Sequence, residues 1–172
     1  PDNFFEPEYP NIQDILNTHE EGYYQNLTQL TLKPSEQRKI GFPLSAALVE
    51  REHIIADGTI KGCHFAMEHG IAMNIAGGTH HAYTNRGEAF CMLNDQAIAA
   101  NYLLNNTLAE RILILDLDVH QGNGTAEIFA NQSSVFTFSM HGKGNYPFKK
   151  EQSDWDIPLE KGMVVRFLKS PK

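Results

Sequence analysis

The sequence lacks the features that mark membrane, secreted and nucleic-acid-binding proteins. It has no apolar stretch of about 18 residues and no charged-then-apolar leader, so neither a transmembrane helix nor a signal peptide is predicted. Its two cysteines, Cys63 and Cys91, form no disulfide framework, which favours a reducing cytoplasm. It has no run of Lys or Arg, and a formal net charge of -7 argues against nucleic acid or an anionic membrane as a partner.

The composition that remains is that of a globular protein. A chain of 172 residues, of which 41% are hydrophobic, is long enough to bury one core. We therefore expect a single domain over residues 1–172, in which residues 1–30 form an irregular or helical N-terminal arm. The negative net charge mildly favours a cationic substrate.

The most informative stretch covers residues 111–124 and reads RILILDLDVHQGNG. Its apolar run at 112–115 predicts a buried strand, and acidic and imidazole side chains follow where that strand ends. An extended backbone would place Asp116, Asp118 and His120 on one side of the chain. Because carboxylate oxygens and imidazole nitrogens suit zinc, Asp118 and His120 can supply two of the three protein ligands of a catalytic zinc.

A second stretch, AGGTHHA at 76–82, follows an apolar run at 71–75 that predicts another strand. Its two glycines permit a sharp turn at the strand end. Adjacent side chains on an extended backbone point to opposite faces, so His80 and His81 can reach one cavity only if the backbone bends. We expect the glycines to supply this bend.

The predicted elements alternate between strands and helices. Strands are predicted at 71–75, 112–115 and 135–140, with helices at 96–104 and from Thr125 onward, and with a short edge strand at 155–159. This order is typical of a parallel doubly wound sheet. We therefore predict an α/β fold of three layers, α-β-α, with a mostly parallel sheet.

The N-terminal half of the chain is predicted to be helical, with irregular connections. We expect short helices within 12–30, interrupted at Gly22, an exposed connection at 33–43, and two helices within 44–68 that are broken near Asp57-Gly58. His19 is predicted to be structural, and three further histidines are predicted to lie at the surface or at helix ends: His53, His64 and His69.

Taken together, the motifs AGGTHHA (76–82), FCMLND (90–95) and DLDVHQGNG (116–124) resemble the zinc-dependent histone deacetylase family of the arginase/deacetylase superfamily. The variant QGNG and the flanking RGEAF and EQSDWDIPL look most like its class IV-related bacterial members. The resemblance covers roughly residues 30–160. It implies the arginase/deacetylase fold, incomplete at its C-terminal end, so the chain looks like the N-terminal portion of a longer deacetylase.

The resemblance also implies catalytic roles. His80 and His81 would be the tandem histidines of the site, with His80 backed by Asp116 and His81 facing Asn123. His81 would act first as general base and then as the acid that protonates the leaving amine. Asn123 brings no negative charge, so we expect a less basic His81 than an Asp would give. Phe90 would line the narrow tunnel that takes the acyl-lysine side chain.

The metal sites that the resemblance implies are one zinc and one or two monovalent cations. Asp118 and His120 would bind zinc. A structural cation, usually potassium, would contact the Asp116 carboxylate, the Ser139 hydroxyl and the carbonyl groups of Asp118, His120 and Met140. A second such cation would lie near Phe129 and Val135.

Several positions depart from the family pattern. Ala89 stands where the family usually has Gly, which predicts a narrower acyl channel or altered backbone contacts with the substrate. The family's third zinc ligand, an Asp from a later strand, and its oxyanion-stabilising Tyr have no counterpart in these motifs. Asp154, Asp156 and Tyr146 lie in segments that match other parts of the family and are not assigned those roles.

The sequence therefore predicts a zinc-dependent amide hydrolase that removes an acyl group from an acylated lysine of a protein or from an acylated small amine. Two alternatives stay open: an arginase-like ureohydrolase with a binuclear manganese site, and a truncated module that binds a metal or a partner without catalysis. Because losing an oxyanion donor typically costs about a hundredfold in rate, we expect little activity from these residues alone. We also expect uncovered strand edges and apolar faces to cause self-association as a homo-oligomer.

Overall fold

The computed structural model describes residues 4–163. The elements in chain order are α1 (Ile12–Leu16), α2 (Glu21–Thr28), α3 (Pro34–Ile40), α4 (Ala46–His69), α5 (Asp95–Asn105), β1 (Ile112–Asp116), α6 (Asn123–Phe129), β2 (Val135–Gly142) and β3 (Trp155–Leu159). Among these residues, no helix combines the length and the apolar character that crossing a bilayer requires.

The sheet has three parallel strands in the order β1-β2-β3. The strands predicted at 112–115, 135–140 and 155–159 are confirmed, and their register pairs Asp116 with Ser139 at the carboxyl end of β1. All strands of a parallel sheet run in the same direction, so their carboxyl ends lie at one edge of the sheet. Asp116 lies at this end of β1. This edge is where the two sequence motifs meet.

One face of the sheet is covered by helices α5 and α6. Ile114 of β1 and Val135 of β2 pack there against Ala97 of α5 and Phe129 of α6. On the opposite face, Leu113 and Leu115 are 61% and 55% exposed within the described part of the chain. The self-association expected from such an apolar face stays a prediction.

Several of the predicted local structures are wrong, including the interruption at Gly22, which lies inside α2. Residues 71–75 form no strand, since they lie outside every hydrogen-bonded ladder among the described residues, and Ile71 and Ile75 are 82% and 87% exposed. An apolar run is insufficient for a strand when no neighbouring strand pairs with its backbone. The segment 33–43 contains helix α3, which begins at Pro34 and ends at Gly41 in the left-handed conformation, rather than an irregular connection.

Helix α4 continues through Asp57-Gly58, where a break was predicted. Gly58 lets Asn74 approach closely, because a Cβ at this position would lie 3.0 Å from the Asn74 amide nitrogen. The Asp57 carboxylate accepts a hydrogen bond from the Glu8 backbone and pairs with Lys61 one turn along. The helix is therefore stabilised at this point by contacts from distant segments, which local propensity does not reveal.

The N-terminal arm is helical and is fixed by buried histidines. His19 is buried, as its structural role predicted; its Nδ1 lies 2.9 Å from the Tyr83 carbonyl oxygen, and its Nε2 accepts from the Asn94 backbone at 3.0 Å. His53 was predicted to be at the surface, which is wrong. It is buried because the Tyr24 hydroxyl and the Val49 carbonyl satisfy its two ring nitrogens.

We predict that His19 makes stability depend on pH. Burial lowers its pKa from 6.5 to about 4, because the charged ring would lose its hydration, although hydrogen bonding to the Tyr83 and Thr84 backbones opposes the shift. The unfolded chain then binds more protons between these values, so stability falls as pH falls through that window. Between pH 7 and pH 5 the stability contributed by His19 should fall by about 2 kcal/mol.

The measurement is urea unfolding of the wild type and of His19→Gln, which cannot titrate, at both pH values. The wild type should lose its advantage over the variant at pH 5. A difference in unfolding free energy that is the same at pH 7 and pH 5 would contradict the prediction.

Candidate active site

The loop that follows β1 bends by means of its own acidic side chains. The backbone stops being extended at Asp116, whose Oδ1 accepts from the Asp118 backbone at 2.9 Å. Asp118 Oδ1 in turn accepts from the His120 backbone at 2.7 Å. The sequence allowed an extended backbone through His120. The structure instead has two successive turns, in each of which an Asp side chain accepts from the backbone two residues further on. The outcome is nevertheless convergence, since His120 Nδ1 lies 3.1 Å from Asp118 Oδ1.

The turn that carries the tandem histidines is held by a buried carboxylate, Asp95. Its Oδ1 accepts from the Gly78 and Thr79 backbones at 3.0 and 2.8 Å and from the Thr79 hydroxyl at 2.6 Å. Gly78 adopts a φ of +94°, which supplies the expected bend. From the sequence, Asp95 was only the last residue of the motif FCMLND (90–95), with no contact to this turn predicted. Asp95 and Thr79 are 16 residues apart in the sequence, so no local pattern indicates this contact.

Both tandem histidines are buried, and each has one partner behind its ring. His80 Nδ1 lies 2.5 Å from Asp116 Oδ2, and His81 Nδ1 lies 2.6 Å from Asn123 Oδ1. The two ring centroids are 4.1 Å apart. His80 Nε2 is 3.9 Å from Asp118 Oδ1, on the side where His120 also lies. The structure thus places these six predicted residues together: His80, His81, Asp116, Asp118, His120 and Asn123.

Electrostatics differ between the buried and the exposed parts of the site. Burial lowers the pKa of His81 to about 4, the neighbouring His80 charge lowers it further, and the bond to Asn123 opposes the change. The pKa of Asp118 is also lowered, since the hydrogen bond from the His120 backbone and the nearby imidazoles outweigh its partial burial. A neutral imidazole beside an ionised carboxylate suits both proton transfer and metal binding.

Tyr146 contributes to the site although sequence reasoning gave it no role. Its ring lies edge-on to His81, with centroids 5.0 Å apart, and 6.5 Å from His120. Its hydroxyl donates to Glu88 Oε2 at 2.6 Å. The only available signal was its place in the loop directly after β2, and loops at the carboxyl ends of parallel strands commonly carry functional side chains.

The predicted substrate-contacting residues form a strained turn. Ala89 and Phe90 adopt φ values of +45° and +70°, which L-residues rarely do. The turn is held by hydrogen bonds from both backbones to the Lys39 and Ile40 carbonyls. The Phe90 ring is 57% exposed and packs against Phe42 at a centroid distance of 4.8 Å. Its role as a tunnel wall stays a prediction.

The residues predicted to hold monovalent cations lie in two different environments, one polar and one apolar. Asp116 and Ser139 are cross-strand neighbours, and the Ser139 hydroxyl lies 3.0 Å from His141 Nδ1. Phe129 and Val135 lie inside the apolar core between α6 and the sheet. Within residues 4–163, no group of three or more His, Cys, Asp or Glu side chains is arranged to hold a metal. The cation and zinc sites therefore stay predictions.

Comparison with known proteins decides the family. A family model described as "Histone deacetylase domain" matches residues 2–167. The chain belongs to the histone deacetylase family. An uncharacterized protein of Picosynechococcus sp. is 47% identical over 163 residues, which cover 95% of this chain and 54% of that protein. Histone deacetylase 2 of Arabidopsis thaliana is 30% identical over 142 residues, 78% of this chain and 36% of its own length.

Solved structures of the histone deacetylase family show the same fold. The crystal structure of a histone deacetylase homolog from Aquifex aeolicus superposes with a TM-score of 0.78 at 25% identity. It covers 92% of this chain, and the chain spans 48% of that protein. The predicted α/β arginase/deacetylase fold is thereby confirmed. This chain corresponds to about half the length of that homolog and of the Picosynechococcus relative.

We predict that the loop after β1 tolerates no side chain at Gly122. A Cβ there would collide with Asp116 Oδ2, the atom that contacts His80 Nδ1. Gly122→Ala should therefore lower the free energy of unfolding by about 1–3 kcal/mol. Gly144→Ala is the control, because nothing lies within 4 Å of its Cβ position. Equal urea midpoints for the two variants would contradict this account of Gly122.

We also predict that replacing Ala89 with Gly, the residue that the family usually has at this position, relieves backbone strain in the turn. Ala89→Gly removes the Cβ from a left-handed residue and should raise the free energy of unfolding by about 0.5–1 kcal/mol. Ala47→Gly on the exposed face of α4 should act in the opposite direction, since Gly weakens a helix. The measurement is chemical denaturation. A lower free energy of unfolding for Ala89→Gly than for the wild type would contradict the backbone strain inferred at position 89.

Proposed function

We propose that this chain carries the metal-binding and base-bearing half of a zinc-dependent amide hydrolase, which removes an acyl group from an acylated lysine or a related amine. The observation that carries the proposal is the pair of buried imidazoles at 4.1 Å, each backed by its own partner and facing Asp118 and His120. Family membership supports the same reaction class.

The donor set fits zinc in part. Asp118 Oδ1 and His120 Nδ1 are 3.1 Å apart, so both can approach one ion at the roughly 2 Å that zinc bonds require. A catalytic zinc takes three protein ligands, and a third ligand is not grouped with these two among the described residues. When bound, zinc would polarise the amide carbonyl and make water a better nucleophile.

The protons in this reaction are moved by the chain's own imidazoles. With its proton on Nδ1, directed at Asn123, His81 would have Nε2 free to take a proton from the attacking water. As the carbon–nitrogen bond breaks, the same nitrogen would return the proton to the leaving amine. Asp116, 2.5 Å from His80 Nδ1, would hold the His80 ring in place with Nε2 directed toward the reacting groups.

The substrate is proposed to enter between aromatic side chains. The Tyr146 ring lies edge-on to His81, and we propose that the exposed Phe90 ring, preceded by Ala89 in the same turn, forms the facing wall of this entry. Such walls suit the apolar stem of an acylated lysine or polyamine.

We further propose potassium at Asp116, Ser139 and the Met140 carbonyl, because Asp116 and Ser139 are cross-strand neighbours.

One observation favours a second candidate function. Without a third ligand grouped with Asp118 and His120 in the described residues, these residues alone make an incomplete zinc site. A module that binds a metal weakly or a partner, without turnover, would have this arrangement. An arginase-like ureohydrolase has less support, because a binuclear site needs still more ligands than the mononuclear one.

We predict that His120 is required for zinc binding. His120→Ala should lower the zinc content per chain to background and abolish hydrolysis of a fluorogenic acetyl-lysine amide, since one of two proposed ligands is lost. His64→Ala, at an exposed histidine of α4, is the control and should change neither. Zinc content comes from elemental analysis of the purified protein.

The outcomes separate the two candidates. Zinc and turnover that both depend on His120 support the hydrolase. Zinc binding that His120→Ala leaves intact would refute the proposed ligand. Zinc bound without turnover by the wild type would favour the non-catalytic module.

A further inference from the structure

A chain of hydrogen bonds leads from His81 away from the site and ends on a carboxylate. His81 Nδ1 lies 2.6 Å from Asn123 Oδ1, and Asn123 Nδ2 lies 2.8 Å from the Tyr83 hydroxyl. That hydroxyl lies 3.3 Å from Glu151 Oε1. We infer that Tyr83 and Glu151 are positioning residues, which act through Asn123 to keep the proton of His81 on Nδ1 and its Nε2 free.

The direction of every bond in this chain follows from its last member. The Tyr83 hydroxyl donates to the Glu151 carboxylate, so it must accept from its other neighbour. The Asn123 amide must therefore turn its nitrogen toward Tyr83 and its oxygen toward His81. That oxygen can only accept, so the proton of His81 lies on Nδ1.

Without the terminal carboxylate, nothing in this chain would select that direction. A Tyr83 hydroxyl that was free to donate to Asn123 would allow the amide to flip and to offer its nitrogen to His81. His81 would then carry its proton on Nε2, which faces the site, and could accept no proton there. The carboxylate thus decides which tautomer occurs at a ring that it does not touch.

Tyr83 is held rigidly enough to transmit this preference. Its ring is 3% exposed, and the Arg86 guanidinium lies over it at 3.4 Å from the centroid. Arg86 is fixed in turn by Glu88, whose Oε1 accepts from its Nε at 2.9 Å. Burial, with nearby carboxylates, raises the pKa of Tyr83 to about 12, so the hydroxyl keeps the proton that it donates.

Glu151 is also fixed in place, by a buried glutamine. Gln121 Nε2 donates to the Glu151 carbonyl at 2.8 Å, and the Glu151 backbone donates to Gln121 Oε1 at 2.9 Å. Gln121 belongs to the loop that carries His120, and it is 1% exposed. The residue that directs the proton of His81 is therefore anchored to the metal-binding loop itself.

The first experiment reads the tautomer directly, without reference to activity. Nitrogen NMR of protein labelled with ¹⁵N-histidine at neutral pH distinguishes a protonated Nδ1 from a protonated Nε2, and His81→Gln identifies the signal. The wild type should show the Nδ1–H form at His81. Tyr83→Phe and Glu151→Gln should each shift the signal toward the other tautomer.

Matched controls separate this effect from general disturbance. Tyr102→Phe removes a hydroxyl that lies 3.1 Å from another imidazole, that of His64, outside the site. Glu160→Gln removes an exposed carboxylate that pairs with Lys143. Both controls should leave the His81 signal unchanged. A His81 that carries its proton on Nε2 in the wild type, or that is unaffected in both test variants, would overturn the inference.

The catalytic consequence rests on the proposed function and needs a second readout. In acetyl-lysine hydrolysis, Tyr83→Phe should lower kcat about tenfold and leave KM within about twofold, since substrate binding is untouched. Tyr102→Phe should keep the wild-type kcat. A wild-type chain without turnover would count against the proposed function alone, and the NMR result would then decide the tautomer. A changed tautomer with unchanged kcat would overturn the catalytic role of Tyr83 and Glu151.

Discussion

The site exists because the backbone of α6 lies directly against the backbone of the tandem histidines. The Thr125 amide donates to the His80 carbonyl at 3.2 Å, and a Cβ at Gly124 would collide with the Ala82 carbonyl. Asn94 links the two segments at this joint between α6 and the histidine turn, since its side-chain amide donates to the Ala82 carbonyl and to the Thr125 hydroxyl. Only a glycine at 124 permits this approach, and without it His81 could not reach Asn123.

This joint explains why both motifs contain glycines for different physical reasons. Gly78 provides a left-handed backbone that bends the histidine turn. Gly122 and Gly124 provide space, because their Cβ positions coincide with Asp116 Oδ2 and the Ala82 carbonyl. One kind of glycine relieves a conformational restriction, and the other removes a steric one. Sequence alone offers both explanations for any glycine, and only the neighbours distinguish them.

How much the sequence could predict depended on the range of the interactions involved. The strands at 112–115 and 135–140 and the helix at 96–104 were predictable, because apolar periodicity and caps are local. The short spacing of Asp116, Asp118 and His120 likewise indicated a shared site. By contrast, residues 71–75 form an apolar run as a buried strand does, yet a strand needs a partner whose presence no local pattern encodes.

The residues that support the site were hidden from the sequence for the same reason. Asp95 reaches the histidine turn over 16 residues, Tyr146 reaches Glu88 over 58, and Tyr83 reaches Glu151 over 68. The two tyrosines belong to segments with no periodic pattern of their own, and Asp95 begins α5, whose periodicity indicates no contact outside the helix. Such contacts are fixed by the packing of distant segments, so their residue types carry meaning only after the fold is known.

The buried histidines show how function can be read from hydrogen bonding rather than from burial. His19 and His53 have protein partners at both ring nitrogens, which is what a histidine needs to remain neutral in a core. His80 and His81 are equally buried, but each has a partner only at Nδ1 within the described residues. The other ring nitrogen of His80, Nε2, lies 3.9 Å from Asp118 Oδ1, on the side where His120 also lies. A substrate, water or ion bound there would complete the hydrogen bonding of these rings.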